Sequence, residues 1–179
     1  MLYDRFLLAL IVFGILVAIP SAVLPQGRYI RITASRVNIR ADPSTSSVIV
    51  AKARKDDVFE LHGMEAAWYK IRLFSVKWRY IHKSLAEPDF YVASIPDRSS
   101  IRRGLFRALL QAENRAEAKA DQRYPLEDRS GRPIPGNMKR NMDYMRLLDD
   151  RYKLEVIHKF NVQPPIHDII ISQGVRYNW

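Results

Sequence analysis

The spacing of apolar residues changes once along this chain, near Pro88, and that change divides it into two kinds of structure. Before it, short runs alternate between apolar and polar: Tyr29, Ile30, Ile32, Val37 and Ile39; then Val48–Ala51; Val58–Leu61; Trp68–Leu73; and Tyr80–Ile81. A period of two sends successive side chains to opposite faces of an extended chain, so each run reads as a strand with one face in a core. Turn-forming residues separate the runs at Asp42-Pro43-Ser44, Lys55-Asp56-Asp57, His62-Gly63 and Glu65-Ala66-Ala67. Five such strands predict a small barrel or sandwich.

Beyond Pro88 the period is three to four. Ser99-Ser100 is suited to cap a helix. Its stripe is Ile101, Leu105, Ala108, Leu109, Ala112, Ala116 and Ala120, and it reaches to about Gln122. The prolines and glycines of residues 124–136 stop it and predict a loop. A second helix is predicted from Asn137 to Phe160, with Met138, Met142, Met145, Leu148, Tyr152 and Val156 on one face. The methionines are read as core in preference to an adaptable partner surface. After Pro164-Pro165, Ile166 to Gly174 is read as a short helix, although Asp168-Ile169-Ile170-Ile171 would also suit a strand. Two helices of this length form a hairpin able to bury a small core of its own or to pack on the barrel.

Ahead of the first strand, Phe6 to Leu24 holds nineteen residues without a charge, enough to cross a hydrocarbon layer of about 30 Å as a helix. The run is longer than the apolar core of a secretory signal, and cleavage after Ala22 would put Pro20 in a position that wants a small residue. Residues 1–27 are therefore expected to be a retained transmembrane anchor in preference to a signal peptide. Gly14, Ala18 and Ala22 lie four apart and offer a close-packing face toward other membrane helices. Arg28, Arg31, Arg36 and Arg40 follow the run, and local charge alone would keep the bulk of the protein inside. Long domains translocate largely regardless of flanking charge.

The chain of 179 residues has no cysteine, which excludes disulfides and thiolate metal sites. Its net charge of +10 is spread along the sequence and favours anionic partners such as lipid headgroups, acidic cell-wall polymers or an acidic protein. Arg102, Arg103 and Arg107 fall in the first turns of the first long helix, where the macrodipole disfavours cations, and are candidates for contact with such a partner. His62, His82, His158 and His167 show no ligand spacing, so neither metal nor cofactor is expected. Glu113, Glu117 and Asp121 repeat every four residues, a spacing that could pair carboxylates, but interleaved Arg115 and Lys119 point to a solvated face. With no phosphate loop and no nucleophile motif, no catalytic residue is nominated and no enzyme is expected. The absence of a helix-turn-helix or a repeated basic-aromatic pattern argues against a nucleic-acid partner.

Residues 33–87 carry a set of motifs: Val37-Asn38-Ile39-Arg40, the turn Pro43-Ser44, the charged hairpin Lys55-Asp56-Asp57, and Trp68-Tyr69-Lys70-Ile71. In these the segment resembles the bacterial Src homology 3-like domain. The family's closing Gly-Trp-Val appears here as Arg79-Tyr80-Ile81, so Arg79 stands in place of the glycine. The resemblance implies a β-barrel that binds peptidoglycan, its stem peptides or a partner protein, mostly outside the cytoplasmic membrane. Trp68, Tyr69, Trp78 and Tyr80, with Arg40, are the candidate ligand-binding residues, because rigid rings give contact area at low entropic cost. By alternation Trp68 and Ile71 cannot both face inward without a bulge.

These readings combine into an α+β chain: an anchor at 1–27, a barrel at 28–88 and a helical domain at 89–179. The expected protein is a single-pass component of a bacterial inner membrane, with its soluble parts in the periplasm, binding a cell-wall polymer or another envelope protein. The alternative is an accessory subunit of a membrane complex.

Overall fold

The computed structural model describes residues 29–91 and 93–179. The anchor reading, with Gly14, Ala18 and Ala22, lies outside the described residues. Among those described, no helix is long and apolar enough to cross a membrane.

Seven strands precede three helices. They are β1 (Tyr29–Ile32), β2 (Arg36–Arg40), β3 (Ile49–Arg54), β4 (Val58–Glu65), β5 (Trp68–Arg72), β6 (Trp78–His82) and β7 (Ala86–Asp89), the last entered through a 3-10 turn at Lys83–Leu85. They form a mixed-order antiparallel sheet, β3-β2-β6-β5-β4-β1-β7. The first expected run is two strands, broken at Thr33-Ala34-Ser35. β7 has no apolar alternation to announce it. It is an edge strand paired with β1 alone, where Pro88 is tolerated because one side of the strand needs no ladder donor. The turn expected at His62-Gly63 is instead the interior of β4: the register with β5 shifts between Leu61 and Gly63, so the glycine marks a bulge. The reversal comes at Ala66, whose φ of 48° lies in the left-handed region.

Every strand contributes to one apolar cluster, including Ile30, Val37, Val50, Phe59, Ile71, Ile81 and Ala86. The cluster continues into the helices α1 (Ser99–Arg123), α2 (Asn137–Lys159) and α3 (Ile166–Tyr177) through Leu105, Leu109, Leu154, Ile157, Ile166 and Ile170. Sheet and helices therefore share a core. Each fully buried Ile or Leu adds about 1.5–3 kcal/mol relative to an exposed one.

α1 begins at Ser99 with Arg98 as its N-cap and no side-chain cap, so neither serine plays the expected capping role. Leu105, Leu109, Ala112, Ala116 and Ala120 are buried as the stripe predicts, and Phe106 joins them, while Ile101 is 38% exposed. Ala112 and Ala116 pack against Leu148 and Tyr152 of α2. The methionine face is corrected at its N-terminal end: Met145 packs, partly buried, against the cluster of Ala112, Ala116, Leu148 and Tyr152 as the stripe predicts, but Asn141 takes the buried place in the preceding turn, leaving Met138 67% and Met142 40% exposed. Asn141 is held there by donating to Asp121 Oδ1 (2.7 Å) and to the Tyr124 carbonyl (3.1 Å). α3 is helical throughout and runs three residues past Gly174. At Gly174 an added Cβ would lie 2.2 Å from the Phe106 ring, so only glycine lets α3 approach α1 this closely.

Polar anchors fix the helices to the sheet. Asp150 of α2 is fully buried and accepts from Phe74 N (3.1 Å), Ser75 N (2.8 Å), Ser75 Oγ (2.9 Å) and Arg79 Nε (2.7 Å). His158 Nε2 lies 2.8 Å from Asp57 Oδ2. Arg151 donates to the carbonyls of Val50 (3.0 Å) and Ile49 (3.3 Å), covering part of the free edge of β3. Gln163 Oε1 accepts from Val58 N at 2.9 Å.

Candidate binding groove

Alternation along β5 and β6 sorts the aromatic candidates. Tyr69, Ile71 and Ile81 belong to the core cluster. Their neighbours Trp68, Lys70, Trp78, Tyr80 and His82 therefore project from the outer face. Cross-strand pairing sets Trp68 opposite His82, Lys70 opposite Tyr80, and Arg40 of β2 opposite Tyr80. Trp68 is nonetheless only 8% exposed, its ring meeting His82 edge-on at 5.2 Å. So Trp68 and Ile71 are both buried, on opposite faces, and no bulge in β5 is needed.

Trp78 is the ring left open, at 41% exposed. His62 lies 4.8 Å from it between ring centroids, and Lys70 Nζ sits 5.1 Å over its face. The same ammonium is 3.2 Å from Glu65 Oε1, which also accepts from the Tyr80 hydroxyl at 3.2 Å. Burial, reinforced by the Glu65 hydrogen bond, raises the Tyr80 phenol above its ordinary pKa and keeps it a donor.

Trp78 and Tyr80 line a groove of about 530 Å³ together with Ala41, Asp42, Val48, Val76, Asp143 and Leu147. Val48 is 59% and Val76 71% exposed, so an apolar rim surrounds the open ring. The loop carrying Asp42 is tied down by Asp42 N donating to Ser47 Oγ (2.8 Å) and by Arg40 Nη1 donating to the Ser47 carbonyl (2.7 Å). Arg40 thus shapes a wall of the groove and is absent from its lining. At the other end Asp143 takes Lys139 Nζ (2.7 Å) and Lys77 Nζ (2.6 Å). These two ammonium groups hold its carboxyl at a pKa of about 2. The groove is apolar in its middle, with charge at its margins, the layout that orients a ligand by a few polar contacts.

Of the five ring and arginine candidates, Trp78 and Tyr80 line the groove, Arg40 supports it, Trp68 lies on the same face under His82, and Tyr69 is core at 7% exposed. Arg102, Arg103 and Arg107 lie on α1, an element absent from the groove lining. Arg103 and Arg107 are exposed, whereas Arg102 is half-buried with its Nε enclosed. No group of three metal-ligating side chains occurs among the described residues. Sequence reasoning passed over Val48, Val76, Asp143 and Leu147. A lone valine between Ser75 and Lys77, outside the alternating runs, was a usable signal. Asp143 and Leu147 come from a helix more than sixty residues away and left none.

Residues 35–87 match the family model of the bacterial SH3 domain. This part of the chain, from the residue before β2 into β7, is a bacterial SH3-like domain, a type of module that binds. The match contains Trp78, Tyr80 and both loops of the groove and ends before α1. No curated protein matches the chain.

Proposed function

We propose that the chain is a membrane-anchored binding protein whose groove at Trp78 and Tyr80 takes an extended ligand, either a cell-wall stem peptide or a segment of an envelope protein, with no catalytic step. The observation that carries this reading is the open Trp78 ring between Val48 and Val76, in a part of the chain that matches a family of binding modules. An extended peptide can lay apolar side chains along the groove and place charged ends near Lys77 and Asp42. The apolar run at 6–24 supports an anchor, and the family resemblance supports an extracytoplasmic, periplasmic position at a bacterial inner membrane.

The test is sedimentation of the full-length protein, in detergent, with purified sacculi. Cosedimentation that falls at least tenfold in Trp78→Ala, with an unchanged melting temperature, supports the reading. Equal cosedimentation of the variant removes the groove from it.

A second reading, an accessory subunit of a membrane complex, is favoured by the exposed Met138 and Met142 on α2, an adaptable apolar surface outside the SH3-like part. Stoichiometric copurification in detergent that is lost in Met138→Ser/Met142→Ser, with sacculus binding absent, would decide for it.

A further inference from the structure

The uncharged run ends at Leu24, and only residues 25–28 separate it from Tyr29 at the start of β1. However those four residues run, Tyr29 lies within about 18 Å of Leu24, because an extended chain spans at most about 3.6 Å per residue. The headgroup layer is about 5–7 Å thick on each side of the hydrocarbon, so the link lets Tyr29 stand within that layer, and what holds it there must come from the side chains around it.

What stands at this exit follows from the strand pairing. β1 and β7 are antiparallel, with Tyr29 opposite Asp89, so the chain enters the sheet beside the point where β7 ends at Asp89 and leads into Phe90 and Tyr91. Phe90 is 72% exposed, among the most open large apolar side chains described. Tyr91 packs edge-on against Tyr29 with ring centroids 5.6 Å apart. The carboxylate at this corner, Asp89, is neutralised by Arg31 Nη2 at 2.6 Å. One apolar ring, two amphipathic rings and a paired charge are the chemistry that settles at a membrane interface, where tyrosine tips stay wet and a phenylalanine enters the acyl boundary. The free side of the adjoining edge strand carries Pro88, which has no N–H to leave unsatisfied in that layer.

We infer that the corner formed by Tyr29, Phe90 and Tyr91 rests in the headgroup layer of the bilayer, with Phe90 inserted, so that the SH3-like part is seated on the membrane and does not swing on a tether. This rests on the anchor reading of residues 6–24. The groove is built on β2, β3 and β6, which belong to the opposite half of the sheet order, so seating β7 on lipid does not use the groove residues.

The cysteine-free sequence supplies the test. Full-length protein carrying Phe90→Cys, or Ser130→Cys in the α1–α2 loop as reference, is labelled with an apolar environment-sensitive fluorophore and reconstituted in 3:1 phosphatidylethanolamine:phosphatidylglycerol vesicles. Glu87→Cys, which keeps Phe90, serves as the second site. The expected result is quenching by aqueous iodide at least threefold lower at positions 90 and 87 than at 130, with strong quenching at 90 by a lipid nitroxide near the headgroup. Equal iodide quenching at all three positions, in protein retained by the vesicles after alkaline carbonate, overturns the seating and leaves the anchor standing. Iodide shielding without lipid quenching also overturns it, because a protein segment then covers the corner. Release of the protein by carbonate overturns both readings.

Discussion

Arg79 departs from the family pattern in which a glycine precedes the closing aromatic, and its partner explains the departure. Its guanidinium is 5% exposed and meets Asp150, which is fully buried and already receives the turn amides of Phe74 and Ser75. The arginine is the SH3-like part's half of a joint with α2. Removing one partner strands a buried charge, so Asp150→Ala is expected to cost about 3–5 kcal/mol. The double replacement Arg79→Met/Asp150→Leu should cost less than Asp150→Ala alone, because no charge is left unpaired. Urea denaturation of the three proteins checks this. Gly174→Ala forces a methyl onto the Phe106 ring and should cost about 1–3 kcal/mol in the same assay.

At the scale of elements, α2 is a strap with two unlike sides. Leu148 is 4% exposed among Ala112, Ala116 and Tyr152, and Leu148→Ala should destabilise by about 2–5 kcal/mol. Met142→Ser on the open side should stay within about 0.5 kcal/mol, which a melting curve distinguishes readily. Near its N-terminus α2 holds the groove rim through Asp143 and Lys77. A carboxyl whose folded pKa is lowered lends stability above its unfolded pKa, and that stability is lost as pH falls through the folded value. The contribution of Asp143 is therefore whole above about pH 4 and gone near its folded value of about 2. Lys77 is partly exposed and Lys139 almost wholly so, and both are screened by solvent, so the effect is small, below about 1 kcal/mol. The stability difference between wild type and Asp143→Asn should close between pH 4 and pH 2, and one that persists unchanged at pH 2 would contradict this assignment.

For the whole molecule, a core that runs from Ile30 in β1 to Ile170 in α3 without interruption predicts one cooperative transition. Unfolding followed by far-ultraviolet dichroism, dominated by the helices, should coincide with that followed by tryptophan fluorescence, to which Trp68 and Trp78 in the sheet contribute. Two separated midpoints would mean that sheet and helices fold independently. The sequence by itself determined that a strand-rich part gives way near Pro88 to a helical one and where the two long helices lie, since alternation and three-to-four spacing are local consequences of backbone geometry. It also determined the SH3-like assignment, through Val37-Asn38-Ile39-Arg40 and Trp68-Tyr69-Lys70-Ile71. It did not disclose β7, whose Ala-Glu-Pro-Asp composition becomes a strand only because β1 offers it a ladder. Nor did it disclose how the first turns of α2 pack: Met145, Leu148 and Tyr152 lie on the packed face as the period predicts, but ahead of them Met138 and Met142 fit the period as well as Asn141 does, and it is Asn141 that is held inward, by hydrogen bonds to Asp121 and Tyr124. The groove belongs to the tertiary structure for the same reason. Trp78 and Tyr80 are close in sequence, but their opening is lined by side chains brought from the Asp42 loop and from α2. Contacts between segments a hundred residues apart, such as Asp57 with His158, depend on chain packing that no local pattern records.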